Sequence, residues 1–103
     1  MVIKIEDLYL ETLYQGKKPK GKPQFNKEVI IQFVKTVDRL KYSDTLADIR
    51  AQHSLHFEAL KGDLKGKYSV CVDRKYRLIL RLEKDEVIVE EVIVIEELSN
   101  HYQ

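Results

Sequence analysis

From Val29 to Leu40, apolar residues recur at three- and four-residue steps. Val29, Ile30, Phe33, Val34, Val37 and Leu40 share the spacing that lines one face of an α-helix. Asn26 stands where an N-cap is wanted, and Glu28 falls in the first turn, where a negative charge favours the helix dipole. A helix over about residues 26–40 follows. Upstream, residues 1–5 alternate weakly as a short strand, and residues 6–14 set Leu8, Leu10, Leu13 and Tyr14 at helical separations. Between them, residues 15–24 hold two glycines, two prolines and four lysines. Such a stretch cannot continue a helix. It reads as an exposed connector whose lysines are either simply solvated or grip a nucleic-acid backbone. After the long helix, Ser43 or Asp44 is expected to cap a shorter one through Leu46 and Ile49 to about Gln52.

From Leu55 the period changes from helix to strand. Residues 67–72 alternate, residues 76–82 are rich in β-formers, and residues 87–95 are dominated by β-branched side chains. Asp73-Arg74-Lys75 reads as a tight turn and residues 83–86 as a second, which implies an antiparallel meander. The expected class is α+β: two or three N-terminal helices packed on a small twisted antiparallel sheet of three to five strands. At 103 residues the chain is expected to be a single domain, residues 1–103. Alternation also assigns faces. Tyr76, Leu78, Leu80 and Leu82 fall on one side, with Arg77, Ile79 and Arg81 on the other. On the preceding strand Tyr68, Val70 and Val72 oppose Lys67, Ser69 and Cys71. The sheet therefore offers either a face of Arg77, Arg81, Ser69 and Lys67 open to a ligand, or the same arginines paired with Glu90, Glu91 or Glu96 across the strands.

Charge sharpens that picture. Residues 61–82 carry seven Lys or Arg against two Asp, a net of +5, whereas residues 83–103 carry −6 and the whole chain +1. A basic centre beside an acidic end points to local attraction for phosphate. With 44% apolar and 34% charged residues the composition is that of a globular protein, no apolar run is long enough to span a bilayer, and the first residues lack a secretory pattern. A cytosolic protein with no membrane partner is expected. Cys71 stands alone, so it offers no internal disulfide and no cysteine metal cluster, and its Val70 and Val72 neighbours suit a small buried hydrophobe. Phosphate-loop, zinc-protease, nucleophile-elbow and CxxC patterns are all missing, so neither a cofactor nor a metal is expected.

The run Leu60-Lys61-Gly62-Asp63-Leu64-Lys65-Gly66, then Tyr68-Ser69-Val70, then Tyr76-Arg77-Leu78-Ile79, then Asn100-His101-Tyr102 resembles the HigB-type killer toxins of the RelE/ParE superfamily of bacterial toxin–antitoxin systems. The resemblance covers about residues 26–103 and implies a RelE-like microbial RNase fold. It also implies a ribosome-dependent mRNA endonuclease that cleaves without metal, using the RNA 2′-hydroxyl as nucleophile. Such chemistry needs a proton acceptor, cations to stabilise a phosphorane-like transition state, and an acid for the leaving 5′-oxygen. On the resemblance, Arg77, His101, Tyr102 and Lys61 are the catalytic candidates. His56 and Glu58 join them because one or the other stands near the position, four residues before Gly62, where some members carry a histidine. His101 and Tyr102 are left unassigned as acid or base. Lys65, Lys67, Arg74, Lys75 and Arg81 are expected to hold RNA phosphates, and His53 to face a helix C-terminus. The implied partners are the ribosome with its bound mRNA and a cognate helix-turn-helix antitoxin of the HigA kind, through which alone operator DNA is reached. A non-enzymatic ParE-like toxin that inhibits DNA gyrase is the alternative, and a decayed binding module a third.

Overall fold

The computed structural model describes residues 1–87 and 90–100. Its elements are β1 (Val2–Ile5), α1 (Leu8–Tyr14), α2 (Lys27–Lys41), α3 (Leu46–Ala51), β2 (Glu58–Ala59), β3 (Tyr68–Cys71), β4 (Arg77–Asp85) and β5 (Glu90–Ser99), with 3₁₀ turns at His53–Leu55 and Gly62–Leu64. Each helix starts on a side chain that satisfies an otherwise orphaned amide. Asp7 accepts from the Leu10 N–H at 3.0 Å, and Asn26 accepts from the Val29 N–H at 2.9 Å. The α3 cap is Thr45 rather than Ser43 or Asp44: Thr45 and Asp48 form a reciprocal capping box. Ser43 instead donates to the Arg39 carbonyl at 2.7 Å, back-bonding within the turn that leaves α2.

The sheet has the order β1-β5-β4-β3-β2. Strands β2 to β5 form the expected antiparallel set. β1 departs from it by pairing parallel to β5, with Val2 beside Val92 and Ile5 beside Ile95. The second hairpin turn also lies later than residues 83–86, because β4 continues through Asp85. Charged Glu83, Lys84 and Asp85 look like turn residues, yet a long β5 gives their backbones a partner to the end. β4 and β5 pair from Arg77 with Ser99 to Asp85 with Glu90, and their register slips once: Ile79 faces Glu97 while Leu80 faces Ile95. Glu96 is the extra residue of that bulge.

Leu10, Leu13, Phe33, Val37, Leu40 and Ile49 from the helices meet Val70, Leu78, Leu80, Ile93 and Ile95 from one side of the sheet. The interior residue Phe33 is wholly buried. α1 is tied to α2 by the Tyr14 phenol, which donates to Asp38 at 2.6 Å. Burial and this bond to a carboxylate push the phenol's pKa up to about 12. The other side of the sheet, opposite the helices, carries Ser69, Cys71, Arg77, Ile79 and Arg81, as strand parity predicts. Among the described residues no helix is long and apolar enough to cross a membrane.

Candidate functional site

Arg77 is the centre of the helix-free face. Its Nε donates to Ser69 Oγ at 2.9 Å, its Nη1 to Cys71 Sγ at 3.0 Å, and its Nη2 to the His56 carbonyl at 2.7 Å. Three neutral acceptors on three sides fix the plane of the guanidinium. Register explains two of them: Cys71 is the direct cross-strand partner of Arg77, and Ser69 lies one pair further on the same face. The Cys71 thiol, expected only as a small hydrophobe, is half-buried and serves as a hydrogen-bond acceptor. The third acceptor depends on an unusual backbone. His56 takes a left-handed conformation at φ 47°, the one non-glycine among the described residues with positive φ. Histidine tolerates that region better than branched residues do, at some cost in strain. The bend turns the carbonyl of His56 onto Arg77 and brings the chain back to the sheet as β2, where Glu58 pairs with Ser69.

Glu58 consequently stands between two sequence-expected partners. Its carboxylate lies 3.7 Å from Arg77 Nη2 and 3.4 Å from His56 Nε2. The first spacing is that of an ion pair rather than a hydrogen bond. Arg77 is 16% exposed, Glu58 36% and His56 64%, so the cluster grades from a pinned cation to an accessible imidazole. This brings together Arg77, Glu58 and His56. The tail candidates His101 and Tyr102 lie outside the described residues. β5, the last strand before them in sequence, ends beside this cluster: Ser99 pairs with Arg77, and Asn100 lines a cleft of about 470 Å³ with Arg74, Lys75 and Tyr76.

Arg81, four residues further along β4, has very different surroundings. Its Nη2, Nε and Nη1 each lie 2.7 Å from a carboxylate: Glu6, Glu83 and Glu96 respectively. Lys67 joins the same network through Glu96 at 2.6 Å. Hydrogen bonds from Glu6, Glu96 and Glu83 hold the Arg81 pKa above its already high value. Burial alone would raise the Glu96 pKa, but the bonds from Lys67 and Arg81 outweigh it and keep the carboxyl below the usual range. Both Lys67 and Arg81 were expected to hold phosphates, and both are engaged by protein carboxylates instead. The pairing with Glu96 was the alternative that strand parity left open.

The remaining candidates line the margins. Lys61 and Lys65 are exposed in a turn shaped by Gly62 at φ +65° and Gly66 at φ +94°, conformations that favour glycine. Arg74 and Lys75 are exposed in the β3–β4 turn, where the Asp73 carboxylate accepts from the Lys75 and Tyr76 amides at 2.8 and 2.7 Å. One turn precedes β3 and the other follows it, so the two lysine-bearing loops sit at opposite ends of that strand with Arg77 on the face between them. His53 opens a 3₁₀ turn directly after α3. Among the described residues no group of three or more His, Cys, Asp or Glu side chains is placed to hold a metal ion. Sequence reasoning missed the anchoring role of Cys71 and the part that Glu6 and Glu83 take in the carboxylate cage. Glu6 and Glu96 come from opposite ends of the chain, and no local signal announces their meeting.

Residues 3–94 match the family model described as HigB-like toxin, the RelE-like toxin of the type II toxin–antitoxin system HigB. No curated protein matches the sequence. Several solved structures share the fold. The YoeB/ParE toxin from Agrobacterium tumefaciens superposes with a TM-score of 0.58 at 14% identity, over 99% of this chain and all of that one. The YoeB–YefM complex from Staphylococcus aureus gives 0.56 at 20% identity, over 99% and 98%. A heterotetrameric YoeB–YefM toxin–antitoxin complex from the same organism gives 0.51 at 23% identity, also over 99% and 98%.

Proposed function

Because this chain belongs to the HigB-like, RelE-like toxins of type II toxin–antitoxin systems, we propose that it is a ribosome-dependent mRNA endonuclease whose reaction is centred on Arg77 and Glu58. The observation that carries this reading is a guanidinium held rigid by neutral acceptors, with a carboxylate and an imidazole beside it. A guanidinium pinned in one orientation is what a phosphorane-like transition state requires, because its donors are already aimed when negative charge develops. Glu58 accepts the proton of the 2′-hydroxyl. The O2′ atom forms its bond to phosphorus as the P–O5′ bond breaks, leaving a 2′,3′-cyclic phosphate on one product. The departing O5′ takes a proton from His101 or Tyr102. The pairing of Ser99 with Arg77 supports bringing the tail to this point.

His56 has two parts in this scheme: its carbonyl positions Arg77, and its imidazole orients Glu58. Lys61, Lys65, Arg74 and Lys75 attract the sugar–phosphate strand on either side of the reacting phosphate. Lys67 and Arg81 hold the bulge of β5 in place through Glu96. The physiological partner is a cognate antitoxin, and the site of action is a message held on the ribosome.

The test is a translation extract programmed with a defined message and read by primer extension. Purified protein is expected to cut ribosome-bound message at discrete positions and to leave free message intact. Growth arrest with intact message and a fall in DNA supercoiling would overturn the nuclease reading in favour of gyrase inhibition.

A further inference from the structure

A second surface, remote in sequence from Arg77, is formed by the connector between α1 and α2. This segment arches over a groove of about 600 Å³. α1 contributes Tyr9 and Leu13 to it, α2 contributes Ile30, and the connector contributes Pro19 and Pro23. The arch is held rather than loose: the Tyr9 hydroxyl accepts from the Gln24 N–H at 2.9 Å, and the Tyr9 ring meets Phe25 edge-on with centroids 6.1 Å apart. An adjoining concavity of about 510 Å³ shares Tyr9, Lys17, Lys18 and Pro19 and reaches Leu8, which is 79% exposed. From residue 15 to residue 27 the chain carries five lysines and not one Asp or Glu. Lys17, Lys18 and Lys27 line the groove itself.

An apolar trough bordered only by cations is poorly matched to an RNA strand, which would bring phosphates to the lysines but leave the apolar residues without a partner. It matches a peptide that presents apolar side chains to the trough and carboxylates to its border. The geometry points to this groove as the seat of the antitoxin's neutralising segment, an acidic, apolar-studded stretch of the partner protein. This inference rests on the toxin–antitoxin reading above. It implies that neutralisation gains affinity from a surface that takes no part in cleavage.

The experiment uses the toxin and the antitoxin encoded beside it, purified as their complex and then separated. Lys17→Glu/Lys18→Glu changes two exposed side chains, so folding is preserved, and Ile30→Glu probes the apolar wall as a second variant. We expect the charge-reversed toxin to arrest growth as wild type does. Its affinity for antitoxin is expected to fall at least about tenfold, with a weaker salt dependence, and co-expressed antitoxin no longer rescues growth. Unchanged affinity and full rescue for both variants would overturn the inference. So would a loss of toxicity and ribosome binding with antitoxin affinity intact, which would assign the lysines to RNA. If wild-type toxin cuts no message yet the variants still lose antitoxin, the groove stands and the endonuclease reading alone fails.

Discussion

Arg77 and Arg81 leave the same strand on the same face, four residues apart, and meet different surroundings. Arg77 is gripped by a hydroxyl, a thiol and a backbone carbonyl, with the Glu58 carboxylate 3.7 Å away. Arg81 is gripped by the carboxylates of Glu6, Glu83 and Glu96. Neutral acceptors with one carboxylate at ion-pair distance offset less of a cation's field than three carboxylates in direct hydrogen bonds do. A positive patch counted from sequence is therefore larger than the one a phosphate meets. The less offset charge lies where β3 supplies Ser69 and Cys71 rather than where Glu6, just after β1, Glu83 of β4 and Glu96 of the β5 bulge converge.

The sharpest way to break this contrast is Arg77→Ala. It is expected to lower the cleavage rate about a thousandfold, the scale for removing a preorganised transition-state donor. Circular dichroism should still show a folded domain; collapse of the melt would reduce Arg77 to a structural residue. Next comes Glu58→Gln, which keeps the shape but cannot accept a proton, and should cost about a hundredfold in single-turnover cleavage with little change in message binding. Arg81→Ala, by contrast, should leave cleavage within a few-fold of wild type while lowering Tm, because it strands Glu96 beside Lys67 alone. A cleavage defect as deep as that of Arg77→Ala would erase the distinction between the two arginines.

Much of this layout was legible in the chain. The stripe from Val29 to Leu40 becomes α2 with Phe33, Val37 and Leu40 wholly buried. The alternation of residues 76–82 puts Leu78 and Leu80 in the core and both arginines on the opposite face. Local periodicity carries that information because it depends on neighbours in sequence. What it cannot carry is pairing between distant segments. The parallel union of β1 with β5 and the arrival of Glu6 beside Arg81 each join residues dozens of positions apart, and the bulge at Glu96 is a register slip that alternation does not announce. The site was legible to the same degree. Ser69, Arg77 and Glu58 were in hand, yet the bend at His56 that assembles them depends on one backbone conformation that composition does not signal.

Acid titration separates the two regions in a smaller way. The Glu96 carboxyl is held below the ordinary 4.5 by Lys67 and Arg81 against the opposing effect of its burial. A depressed folded-state pKa gives stability that is complete above the ordinary value and is lost as pH falls through the folded one. Glu96→Gln should therefore flatten the fall of Tm below about pH 4.5, visible in melts across pH 3 to 6. The smallest expected effect is that of Cys71→Ser. It replaces one neutral acceptor of Arg77 by another, and cleavage should remain within about threefold of wild type. A large loss there would mean that the thiol does more than orient the guanidinium.

The most direct measurement compares two ribosome-bound messages that differ in one atom. One is entirely ribonucleotide, and the other carries a single 2′-deoxy sugar at the mapped cut. If Glu58 activates a 2′-hydroxyl beside Arg77, the first message is cut to a 2′,3′-cyclic phosphate and the second stays whole at that position. Equal cutting of both would show that some other nucleophile attacks, and no cutting of either would show that this face of the sheet does not cleave RNA.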